Sequence, residues 1–382
     1  MLNSERRAFI AFSAAACLAY LSSWLQPFIV SAVISRTGAS PPQAGGLLTI
    51  EFVALAAASY YSGRRARAVL RRRVLLAGVT IVLVGTAASV SASTYLTVLL
   101  ARLLTGIGEG CVLMVSMAGI GSLPNPPRMY AASALVTNVS GVLLGFVMQT
   151  IGERRPGLNL VFPLLLATQV TLLPLLLLSP RSGDSPNDQA QSPCVRGGMR
   201  LAALLGFVML IVGTTNAVWA FYFQIGAAAG LNERFLVRSI EYGLIAGSLG
   251  SLIASVIGDR FGRLLPLIIA LAAQAGAIVV MSLGFTPAAF KIASAIYLLC
   301  SAFCMPFFLS FGAAERSGHA SADVGATYIL ASAASPFVGG ALLALVGEAG
   351  TAMIIAAACL AGAIGFSYLE STRVLLDRDT QS

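Results

Sequence analysis

Residues 64–73 read RRARAVLRRR, six arginines in ten positions, set between two long apolar stretches in a chain of which only 10% of residues are charged. Guanidinium groups at this density do not enter hydrocarbon, and an excess of Lys and Arg in a short loop marks the cytoplasmic side of a membrane. The segment therefore orients the spans on either side of it, and the topology reads outward from here.

The rest of the composition agrees. Hydrophobic residues make up 57% of the chain and the mean hydropathy is +0.86, against roughly 45–50% apolar content in soluble domains. The formal net charge of +9 raises the question of nucleic acid. The basic residues, however, sit in short hinges between apolar runs and form no continuous face or tail, which excludes that class.

A bilayer crossing needs about 20 apolar residues. The chain supplies such runs at 8–32, 43–62, 74–93, 95–121, 130–151, 158–178, 201–223, 236–257, 264–284, 288–311, 322–346 and 350–369. The expectation is an all-α membrane protein with twelve transmembrane helices. Its longest polar stretch, rich in Ser, Pro, Asp and Gln, divides them six and six: an N-terminal bundle over 1–178, a cytoplasmic linker over 179–200 and a C-terminal bundle with a short tail over 201–382. On this topology seventeen Lys and Arg fall inside, six fall outside and Arg102 lies within a span. That bias predicts a multi-pass protein of the cytoplasmic (inner) membrane with both termini in the cytoplasm. The first apolar run follows Arg6 and Arg7 as a signal peptide would, but its length predicts a retained helix.

The loop after the eighth span, Gly258-Asp259-Arg260-Phe261-Gly262-Arg263, occupies the place in the second half that the arginine cluster holds in the first. Here the chain resembles the major facilitator superfamily, whose loop motif G-x-x-x-D-x-x-G-R-[RK] falls on Asp259, Gly262 and Arg263, with Ser255 at the first glycine. Gly63, Arg71 and Arg72 match in the first half, while Arg67 replaces the acid and Leu70 the second glycine. In the fourth span Arg102, Gly106, Gly108 and Gly110 are similar to the family's R-x-x-x-G-x-G motif. In the eleventh, Ser335, Pro336, Gly339 and Gly340 resemble the G-P-x-x-G-G pattern that antiporters carry in the fifth. The fifth span keeps only Gly141 and Gly145, with Phe146 where the proline belongs. The resemblance implies two pseudo-symmetric six-helix bundles, proton coupling through the membrane arginine, and a conformational gate at Asp259, Gly262 and Arg263. In that gate the aspartate meets the start of the fifth helix, near Tyr130.

Charges inside spans are costly unless they face a cavity or a partner. Glu51 in the second span and Arg102 and Glu109 in the fourth are the candidates for proton coupling. Arg102 and Glu109 are seven residues apart, two turns along nearly one helix face, and Glu51 on the neighbouring helix is placed to pair with Arg102. An acid held between a guanidinium and the cost of leaving water suits proton carriage; the same trio also suits a structural ion pair. Glu241 and Lys291 lie near an outer boundary and read as rim residues.

Trp24, Gln26, Asn138, Asn216, Trp219 and Tyr328 are polar or aromatic residues within spans and are candidates for the wall of a substrate cavity. Helix–helix hydrogen bonding or an interfacial aromatic belt is the competing role for each. Catalysis has little to work with. His319 is the only histidine and falls in a loop, so no His-pair metal site or His-dependent hydrolase can be built. The six cysteines lie in spans or in the linker, and no structural disulfide is expected. The expectation is a secondary transporter without cofactor or metal. It works as a monomer, and its partners are a small-molecule substrate, membrane lipid and protons. Efflux of an amphipathic or drug-like compound is favoured over uptake of a small metabolite; a membrane-embedded enzyme or lipid flippase is the rival class.

Overall fold

Prolines and glycines punctuate the apolar runs, and where they fall decides how the helices break. The computed structural model describes residues 2–65, 71–123, 126–154, 160–179, 199–257, 260–284, 286–313 and 320–379. Among the described residues the regular structure is helical, joined by short turns, with no strand. The first expected span is two helices, α1 (Leu2–Trp24) and α2 (Gln26–Thr37), broken at Leu25 with φ −98° and ψ 11°. Pro27 explains the break, because a proline has no N–H to donate and its ring clashes with the carbonyl four residues back. Then come α3 (Pro41–Arg65), α4 (Arg71–Ser91), α5 (Tyr95–Gly121), α6 (Pro126–Arg154) and α7 (Val161–Leu176). Helix α6 opens earlier than the sequence suggests, at Pro126, where proline's fixed φ suits a first helical turn. The seventh span repeats the pattern of the first: α8 (Met199–Ala220) and α9 (Tyr222–Ala228) part at Phe221, with φ −104° and ψ 23°.

The remaining helices are α10 (Glu233–Ile257), α11 (Leu264–Leu283), α12 (Pro287–Ala313) and α13 (Ala320–Asp379). Helix α13 covers the last two expected spans and is interrupted at Gly347, whose φ of 68° and ψ of −176° lie in a region open to glycine. Helix assignment runs through Pro306 and Pro336. Among the described residues nine helical stretches are long and apolar enough to cross a membrane; Ala132–Met148 and Val161–Leu176 are shorter apolar helices.

Contacts divide the chain into two units, Met1–Gln191 and Ser192–Ser382. In the first, α5 is the hub and packs against α3, α4 and α1. Glycines make these approaches possible, since close van der Waals packing is what associates helices in lipid. A Cβ on Gly106 would stand 2.1 Å from the backbone oxygen of Glu51 and one on Gly110 2.2 Å from that of Leu55. In the second unit a core of Phe303, Phe307, Phe308, Phe311 and Phe366 joins α12 to α13, with Phe308 and Phe366 stacked at 5.6 Å. Outward faces are apolar too: on α6, Leu135, Val139, Leu143 and Phe146 are all exposed, an arrangement suited to lipid and not to water.

Candidate functional site

Among the described residues of the first unit three charged side chains, Glu51, Arg102 and Glu109, are fully buried. Helix α3 places Glu51 against α5 through the Gly106 contact, and the expected pairing forms. Arg102 donates from Nε to Glu51 Oε2 at 2.8 Å and from Nη2 to Glu51 Oε1, a two-pronged ion pair. Charge-assisted, bidentate pairs of this kind are the strong ones. The link between Arg102 and Glu109 is Ser22, which the sequence did not single out. Its Oγ accepts from Arg102 Nη2 at 2.6 Å and donates to Glu109 Oε1 at 2.6 Å. Helix α1 thus supplies one hydroxyl that joins the ion pair to the second acid.

The two acids differ sharply. Glu51 has both oxygens engaged by Arg102, whereas Glu109 holds only Ser22 and its Oε2 has no partner. Arg102 Nη1 is likewise enclosed without a partner. Phe162 of α7 lies between two cations, its ring 5.9 Å from the Arg102 guanidinium carbon and 5.3 Å from that of Arg36. Arg36 in turn donates to the carbonyls of Ser89, Val90 and Ala92 at the end of α4, where a cation suits the helix C-terminus. Farther along α7, Gln169 is fully buried with neither amide atom bonded.

Of the expected cavity residues, Trp24 and Gln26 straddle the Leu25 break. Trp24 packs on α6, where a Cβ at Gly141 would meet its ring at 2.7 Å, and Asn138 lies one turn before Gly141. Trp24 Nε1 and Gln26 Oε1 are buried without partners. In the second unit Asn216 and Tyr328 come together, lining a very small cavity with Thr215, Gln274 and Ser301 on one hand and the apolar Ile211, Val212 and Phe308 on the other. Asn216 Nδ2 donates to Ser332 Oγ at 2.7 Å and Gln274 Nε2 to Ser301 Oγ at 2.6 Å. Trp219 is elsewhere, 6.4 Å from Tyr222 in an aromatic group that also includes Phe290. Thr215, Gln274 and Ser301 escape sequence reading because uncharged polar residues carry no individual signal in a span.

Asp259 of the expected gate lies outside the described residues, as do Arg67 and His319. Gly262 takes a φ of 70°, which favours glycine. Arg263 Nη2 stands 3.5 Å from Glu370 Oε1 of α13, and its guanidinium carbon lies 5.5 Å from the Phe311 ring centre. Lys291, read as a rim residue, places its Nζ 3.6 Å from the Tyr242 ring centre. Among the described residues no group of His, Cys, Asp and Glu forms a metal cluster.

A model of the Major Facilitator Superfamily matches residues 12–315. No curated protein matches the chain. Solved structures similar to it include a mutant of the nucleoside transporter NupG, with 13% identity, a TM-score of 0.76 and coverage of 96% of this chain and 99% of that one. The human organic anion transporter MFSD10 is similar at 16% identity and a TM-score of 0.65, covering 94% and 99%. A bacterial homologue of the human lysosomal transporter Spinster is similar at 14% identity and a TM-score of 0.65, covering 98% and 97%.

Proposed function

The chain belongs to the major facilitator superfamily and is a multi-pass membrane transporter; from that premise we propose a proton-coupled secondary transporter in which Glu109 carries the proton. It exports an amphipathic organic solute by alternating access. The observation that carries the reading is the inequality of the two buried acids. Glu51 has both of its oxygens engaged by the two prongs of the Arg102 guanidinium. Glu109 has one oxygen free to take a proton, and the Ser22 hydroxyl connects it to the pair, so a change of charge at Glu109 is felt by Arg102. In this reading residues 327–371 make two crossings and both shorter apolar helices also cross, which gives the twelve passes, with both termini cytoplasmic. Asp259, Gly262 and Arg263 form the cytoplasmic gate.

Export rests on the Ser335-Pro336-Phe337-Val338-Gly339-Gly340 element of α13 and on the aromatic residues Trp24 and Trp219. Gly339 is packed close, a Cβ there meeting Ala217 at 2.7 Å, so the element brings α13 tightly onto α8. Uptake of a neutral metabolite is the second reading. It is favoured by the cluster of uncharged hydrogen-bonding side chains Thr215, Asn216, Gln274, Ser301 and Tyr328, which line a cavity of only about 10 Å³ in this structure, and one similar structure is a nucleoside transporter. The test is transport by purified protein in liposomes under an imposed pH gradient, with ethidium as the drug-like probe and radiolabelled uridine as the neutral one. Gradient-driven ethidium movement supports export. Gradient-driven uridine movement supports the second reading, and failure of a gradient to drive either probe counts against proton coupling.

A further inference from the structure

On the outer surface of the first unit, α3, α4 and α5 leave an open groove of about 610 Å³ that the transport reading does not use. Ala54, Ala57 and Tyr61 of α3, Ala77 and Ile81 of α4 and Ile107 of α5 are among the residues that line it. The lining is almost wholly apolar because the side chains are short: Ala57 and Ala77 are both exposed, and neither fills the space between the helices. A groove of this size is within the roughly 300–1,000 Å³ range of small-molecule sites.

One end of the groove is chemically distinct. Tyr61 and Ser62 on α3 and Val74 on α4 line it, and these residues border the arginine-rich segment on both sides. Arg64 and Arg65 follow Ser62, and Arg71, Arg72 and Arg73 precede Val74. Arg73 is exposed, and Arg72 keeps its Nε enclosed without a partner. No acidic residue occurs between Glu51 and Glu109 in the sequence, so no carboxylate from the helices that form the groove is left to neutralise this end. Tyr60 and Tyr61, exposed and 5.9 Å apart edge to face, mark the level of a membrane interface.

We propose that this groove is a binding site for an anionic phospholipid, the acyl chain lying along Ala57 and Ala77 and the phosphate meeting Arg72 and Arg73. Basic pockets between spans on the cytoplasmic side suit acidic headgroups. A second copy of the chain is a poor occupant. A two-fold contact apposes the same surface of both copies, and in one membrane it would set the arginine segments against each other. The lipid would brace α3 against α4, which are the helices flanking α5 and its ion pair.

The experiment compares purified full-length protein titrated with phosphatidylglycerol, phosphatidylcholine of the same chains, and glycerol 3-phosphate, reading the melting temperature and, by native mass spectrometry, the bound species. An arginine near an anionic headgroup is worth about fivefold in affinity, so two should favour phosphatidylglycerol by about 25-fold. Arg72→Gln with Arg73→Gln should bring that ratio near unity, while Ala57→Phe, at an exposed position with room for the ring, should weaken both lipids. Equal affinity for the two lipids in the parent, stabilisation by glycerol 3-phosphate equal to that by phosphatidylglycerol, or a dimer in place of a lipid adduct would each overturn the proposal.

Discussion

Replacing Glu51 and Glu109 one at a time by glutamine should produce distinguishable phenotypes, because the two acids have different partners. Glu51→Gln removes the negative charge facing Arg102 Nε and Nη2 and replaces one of the two accepting oxygens by an amide NH2, leaving a fully buried guanidinium without its counter-ion and with the Ser22 hydroxyl as a neutral partner. Breaking a buried pair from one side costs about 3–5 kcal/mol. Glu109→Gln keeps an oxygen to accept from Ser22. It exchanges a charged for a neutral hydrogen bond and should cost about 1 kcal/mol. At roughly 2–4 °C per kcal/mol for a unit of this size, Glu51→Gln should lower the melting temperature by about 10 °C and Glu109→Gln by about 3 °C. Transport separates the two variants as well. Glu109→Gln should abolish gradient-driven accumulation while sparing exchange of labelled for unlabelled substrate across liposomes, and surviving Glu51→Gln protein should lose both. Thermal melting followed by tryptophan fluorescence and paired accumulation and exchange assays measure this. If Glu109→Gln is the more destabilised variant, or accumulates solute like the parent, the division of labour is wrong.

Ser22→Ala removes two hydrogen bonds from charged groups; at membrane values of about 0.6 kcal/mol each, rising to about 1.7, melting should drop by the equivalent of about 1–3 kcal/mol, with Ser22→Thr restoring it. Gly106→Val drives a side chain into the Glu51 backbone oxygen, which cannot yield, and should cost at least the 1–3 kcal/mol or so of overpacking, with loss of folded protein read by size-exclusion chromatography. Glu370→Gln should change stability by less than about 1 kcal/mol, because the Arg263 contact is long and partly exposed; a large loss of melting temperature would show a stronger role. On a cysteine-free background, Ser93→Cys in the exposed turn between α4 and α5 should react with an impermeant maleimide from outside intact cells. Reaction only after permeabilisation would invert the topology.

Much of this site is legible in the sequence because charge and glycine are rare signals in a span. The seven-residue spacing of Arg102 and Glu109, the presence of Glu51 one helix away, and the glycines at 106, 108 and 110 all follow from helical geometry. The structure turns them into an ion pair and the packing that permits it. Ser22 is not legible: a serine in AAACLAYLSSWL satisfies its hydroxyl equally well on its own helix, and only the fold brings it between two residues of α5. The break at Leu25 is signalled by Pro27, yet the unbroken apolar run around it reads as one span. Gln274 and Ser301 are neutral and distant from Asn216 in sequence, so nothing before folding connects them. Phe146, which stands where antiporters carry a proline, is among the exposed residues of α6, whereas Gly141 on the same helix, a glycine that the fifth span keeps, receives Trp24.

The central claim is that Glu109, and not Glu51, is the acid that exchanges a proton. Infrared difference spectroscopy of purified protein during a pH titration tests it without any substrate, by following the carbonyl band of a protonated carboxylic acid. The account predicts that the parent shows such a band, lost as pH rises, that it is absent from Glu109→Gln, and that Glu51→Gln retains it. A band that persists in Glu109→Gln and disappears in Glu51→Gln would contradict the account.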